Sequence, residues 1–83
     1  MTTNHEVTFV AMGPNAWGKG DTIPTAVRNC KEHVGSFAKE QGYRIHVLEV
    51  TGPFYGVDGM GYIRAENRPV SVKHIEVKGR PSR

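Results

Sequence analysis

The chain predicts an α+β fold, β-α-β-β-β, with one helix packed on one face of a four-stranded mixed sheet. Three observations lead there. β-branched and aromatic runs recur at residues 6–12, 43–50, 60–65 and 70–77. One stretch, from residue 21 to 41, places apolar side chains at three- and four-residue steps. The whole chain is 83 residues, one domain with a marginal core.

The first run, Glu6 to Met12, is nearly continuously apolar and stops at Gly13-Pro14. The helix starts at Asp21 or Thr22, either of which can cap, with Pro24 in the first turn. Ile23, Ala26, Val27, Cys30, Val34, Phe37 and Ala38 form its apolar stripe, and Gly42 stops it. Arg28, Asn29, Lys31, Glu32, Lys39 and Glu40 take the other face. The helix returns the chain, so strands one and two are expected to run parallel through a right-handed connection.

Tyr43, Ile45 and Val47 alternate along the second strand. Residues 51–59 read as a turn region closing on Asp58-Gly59, followed by a short strand from Met60 to Ala65. In the last strand the apolar set Val70, Val72 changes parity to Ile75, Val77, which predicts a bulge near Lys73-His74. One helix covers one sheet face. The other face is expected to lie open and to invite self-association there or at a strand edge.

Residues 1–77 read as the folded domain and 78–83 as a flexible basic tail. The net charge is +3, and Lys78, Arg80 and Arg83 account for it, leaving eight basic and eight acidic groups in the body. A lone cysteine, Cys30, excludes an intrachain disulfide and fits a reducing compartment. No signal peptide or membrane-length apolar run is visible. The expected location is the cytoplasm, or a host's cytoplasm for a phage or viral protein.

The segment 13–22, Gly-Pro-Asn-Ala-Trp-Gly-Lys-Gly-Asp-Thr, is the leading candidate for a binding loop, through Trp17, Lys19 and Asp21. It matches Gly-x-x-x-x-Gly-Lys after a strand and before a helix. Gly20 replaces the metal-binding hydroxyl of such loops, and Pro14 removes an N–H from the cradle. Nucleotide hydrolysis is therefore not expected, and anion binding at the helix start is the milder reading. The same segment has a likeness to double-stranded-RNA-binding domains, but Ile23 and Pro24 stand where phosphate-contacting lysines belong. Trp17 is expected to fold over the helix start near Ile23 or Val27.

Cys30 and His33, with His5, His46 and His74 scattered elsewhere, lack the spacing of a zinc site. Cys30 falls mid-helix, where no dipole activates a thiolate. No cofactor, metal or catalytic set is expected. The remaining surface chemistry is aromatic and basic: Phe54, Tyr55 and Tyr62, with Arg64, Arg68, Lys73, Lys78, Arg80 and Arg83. Such a set can stack on and neutralise single-stranded nucleic acid. The leading expectation is a non-enzymatic binding or regulatory module acting through a protein or self-association interface. The alternative is nucleic-acid binding through the sheet aromatics, hairpin arginines and tail.

Overall fold

The computed structural model describes residues 7–79. They form β1 (Val7–Gly13), β2 (Ala16–Gly20), α1 (Ile23–His33), α2 (Ser36–Gln41), β3 (Gly42–Thr51), β4 (Phe54–Val57), β5 (Ile63–Ala65) and β6 (Val70–Lys78). The main sheet has the order β2-β1-β3-β6, and β4 pairs with β5 in a second, two-stranded sheet. The class is α+β, as expected, but every strand pair is antiparallel and the sheet is not mixed.

The difference begins at residues 16–20, which form a strand and not a loop. Gly13 pairs with Ala16 across a two-residue turn. Pro14 fixes its own φ near −65°, and Asn15 has φ 52°. That sign pattern belongs to a type II turn, which favours Pro then Gly or Asn. This hairpin reverses the chain before α1, so the helical return brings β3 in antiparallel to β1.

Thr22 caps α1, its Oγ1 accepting from the Thr25 N–H at 3.3 Å. The expected single helix is broken: Val34 (ψ 133°) and Gly35 (ψ 162°) are extended. Glycine is a poor helix former, and here it lets the chain turn. The break rotates Phe37 out of the stripe into solvent, 75% exposed, while Ala38 still packs on the core.

Ala11, Ala26, Val27, Cys30, Val34, Ile45 and Val47 are buried between the helices and the sheet. Val10 and Val50 are also fully buried. Each alternates in its strand with a helix-facing neighbour, so both point to the opposite face. The β4–β5 hairpin folds back over that face. Phe54 meets Trp17 edge-on, with centroids 5.9 Å apart. The turn at residues 58–61 lies across a cleft of about 440 Å³ from Met12, Asn15 and Trp17. The expectation of a bare second face is thus corrected for the β1–β2 half. Toward β6 the face stays open, carrying Arg44, His46, His74 and Glu76.

The parity change in the last strand is real. Val47 pairs with Lys73 and Leu48 with Ser71, leaving Val72 as the bulged residue, one position before the expected site. Residues 51–59, expected as a turn, contain β4, and the expected strand at residues 60–65 shortens to β5. Lys78 closes β6; Arg80 and Arg83 lie outside the described residues.

Candidate functional site

The glycines of residues 16–20 read as strand positions explain themselves. Ala16, Gly18 and Gly20 face α1, and Trp17 and Lys19 face away. A Cβ on Gly18 would lie 2.6 Å from the Asn29 carbonyl carbon, and one on Gly20 would lie 2.8 Å from the Ala26 nitrogen. The helix backbone therefore rests directly on β2. Asn29 Nδ2 donates to the Lys19 carbonyl at 2.8 Å, occupying an acceptor on the sheet's edge.

This geometry removes the phosphate-loop reading. Gly18 and Lys19 pair with Ala11 and Val10 in mid-strand, so they do not wrap a helix start. Trp17 and Lys19 are brought together, but around Phe54: the Lys19 Nζ lies 5.7 Å from that ring's centroid, within cation–π range. Asp21 is exposed, immediately before the cap residue Thr22. Trp17 does not fold over Ile23 or Val27; its partner is on the other side of the sheet.

Among the described residues the expected nucleic-acid set is divided between the β4–β5 hairpin and the main sheet. Phe54 turns inward onto Trp17. Tyr55 is the extra residue of a β4–β5 bulge. Its hydroxyl donates to Glu66 Oε2 at 2.8 Å, and this hydrogen bond raises its pKa. Tyr62, Arg64 and Arg68 are exposed just before, on and after β5, respectively. Lys73 belongs to the main sheet, on the helix side with Val47. Between β4 and β5, Asp58 Oδ1 accepts from the Tyr62 and Met60 N–H groups at 3.0 and 2.9 Å. The Tyr62 bond leads in holding its carboxyl below the ordinary value. Asp58 is thus the pin of the hairpin turn.

Cys30 is buried in the core, and burial pushes its thiol pKa up. Among the described residues no three His, Cys, Asp or Glu side chains converge as a metal site.

Sequence reading missed the polar row on the open face. His46 and His74 stack with centroids 4.3 Å apart, and His46 Nε2 lies 2.7 Å from Ser71 Oγ. Beside them Arg44 Nη2 bonds Glu76 Oε2 at 3.1 Å. Counting from the parity change would have aligned both pairs, since His46 faces His74 and Arg44 faces Glu76 in register. Among the described residues no helix is long and apolar enough to cross a membrane. Comparison with protein families, with curated proteins and with solved structures finds no match.

Proposed function

We propose that the protein is a non-enzymatic self-association module whose copies pair through the outer edge of β6. The observation that carries this is the difference between the two sheet edges. β2 is five residues long, lies under α1 and has its Lys19 carbonyl occupied by Asn29. β6 is nine residues long and, among the described residues, pairs with β3 alone. A long edge with unpaired backbone groups is a template for another strand.

The Val72 bulge interrupts the edge, so the regular part runs from Lys73 to Lys78. Opposed residues of an antiparallel pair share a sheet face, so two identical strands align about a residue. A two-fold axis at Ile75 sets Ile75 against its own copy and His74 against Glu76 of the second copy. An axis at Glu76 would oppose two carboxylates, and one at Lys73 two ammonium groups. Axes at His74 or Val77 keep only about three residues of the regular part in the ladder, against about five at Ile75, so ladder length and charge together select the Ile75 register.

So short a ladder makes a small interface, and micromolar association is expected. Sedimentation at about 100 μM tests it, since micromolar dimers are well populated there. The wild type should sediment as twice the 9.2 kDa chain. Glu76→Lys, at an exposed position, should weaken the dimer at least about tenfold, equivalent to about 1.4 kcal/mol. A wild-type monomer throughout, or a dimer indifferent to Glu76→Lys, would overturn the proposal.

A further inference from the structure

We infer that an open groove on the helix side of β6 binds the phosphate backbone of nucleic acid. The groove encloses about 430 Å³, and four cations line it: Arg28, Lys31, Lys39 and Lys78. The fold assembles them from three elements. Arg28 and Lys31 are three apart on α1 and therefore share a face. The break at Val34-Gly35 carries Lys39 of α2 to the same rim. Lys78 lines the rim from the end of β6, where alternation with Val77 starts its side chain on the opposite sheet face. The floor is Tyr43 and Val77, directly paired across β3 and β6.

The lining holds one carboxylate, Glu32, against the four cations. Among the described residues the one ion pair is Arg44–Glu76, on the opposite sheet face. Among the described residues no ion pair neutralises the four groove cations, and their mutual repulsion favours a polyanion. The cations are spread along an open trough and do not converge on one point. That layout suits a chain of phosphates better than a single small anion. Lysines predominate, acting as point charges that read no bases, so binding is independent of sequence. Every residue involved belongs to one chain, and the site does not depend on assembly through β6.

The test is fluorescence polarisation with a labelled 20-nucleotide DNA, single-stranded and as duplex, from about 50 to 200 mM salt. Four phosphate contacts give a log–log salt slope of about −3.6 on duplex and about −2.8 on single strands. On duplex that is about a 150-fold loss of affinity over this range. Lys31→Gln/Lys39→Gln should flatten the duplex slope by about 1.8. The control is Arg64→Gln/Arg68→Gln, which removes the same charge from exposed positions outside the groove. It should keep the wild-type slope. All four positions are solvent-facing or rim positions, and circular dichroism checks that both variants fold. Absence of binding at about 50 mM salt would overturn the assignment. So would equal losses in the two variants, or binding to anionic phospholipid vesicles in place of either DNA.

Discussion

Replacing Gly18 by alanine separates the strand reading of residues 16–20 from the loop reading. In a surface loop with ordinary φ, Gly→Ala stabilises by about 0.4–1 kcal/mol, because the unfolded chain loses freedom. In the structure the added Cβ would lie 2.6 Å from the Asn29 carbonyl carbon and 2.7 Å from the Asn29 Cβ. Ordinary contact begins at 3.4 Å, so α1 must withdraw by about 1 Å. The obstacle is helix backbone, which cannot swing aside as a side chain can. The helix carries Ala26 and Cys30, both fully buried, and its withdrawal loosens them together.

Overpacking of a core costs about 1–3 kcal/mol, and backbone contact places Gly18→Ala at about 3. The whole fold has about 4–12 kcal/mol at 83 residues. The melting temperature should fall by about 12 °C or more, at about 4–8 °C per kcal/mol. Gly35→Ala is the internal control. Gly35 has φ −71°, and nothing lies within 4 Å of a Cβ there. Its entropy gain offsets a poorer N-cap, and it should stay within about 0.5 kcal/mol of wild type. Urea unfolding followed by circular dichroism measures both. Equal stability of the two variants would refute the seating of α1 on β2.

Two further outcomes follow from the hairpin that covers the second face. Trp17→Ala and Phe54→Ala, combined in a double-mutant cycle of urea unfolding, should show a coupling of about 0.5–1.5 kcal/mol from their edge-on contact; additivity would place the hairpin elsewhere. Asp58, with its pKa held below the ordinary 3.8, secures the β4–β5 turn fully above that value and releases it as pH falls through the lowered one. Trp17 fluorescence should therefore change on the acid side of pH 3.8 in the wild type, while Asp58→Ala should show the acid-form signal already at neutral pH.

The long elements were legible because their periods were written in large apolar side chains. Tyr43, Ile45 and Val47 announce β3, and Val70, Val72, Ile75 and Val77 announce both β6 and its bulge. β2 was not legible, because its inward positions are Ala16, Gly18 and Gly20. A helix seated this close needs small residues there, and small residues erase the alternation that marks a strand. Losing one strand then reversed the expected direction of β3. The helix break was hidden for the opposite reason: Val34, Phe37 and Ala38 keep helical spacing across Gly35, so the pattern outweighed one glycine. The proposed groove was illegible as a unit, since Arg28, Lys31, Lys39 and Lys78 meet only because α2 turns back toward β6. The expected aromatic and arginine set shows the converse. Its members are close in sequence, yet Phe54 turns inward and Tyr62 outward.

The second face shows why an apolar count alone misplaced the interface. Val10, Val50 and Phe54 exceed what one helix can cover, and that excess pointed to an external partner. The chain supplies its own cover in β4–β5, so buried Val10 and Val50 carry no argument for assembly. What remains unpartnered among the described residues is backbone, along β6, with alternating charge and a central Ile75 that favour one register over its neighbours. Strand pairing requires only the outer edge of β6, whereas the groove lies over its helix-facing surface, with Val77 on the floor and cations from α1 and α2 above it. A β-ladder and a phosphate chain would thus approach the strand from directions about 90° apart, as hydrogen-bonding groups and side chains do in any pleated sheet. Glu76→Lys and Lys31→Gln/Lys39→Gln should accordingly separate the two activities, each impairing one and sparing the other.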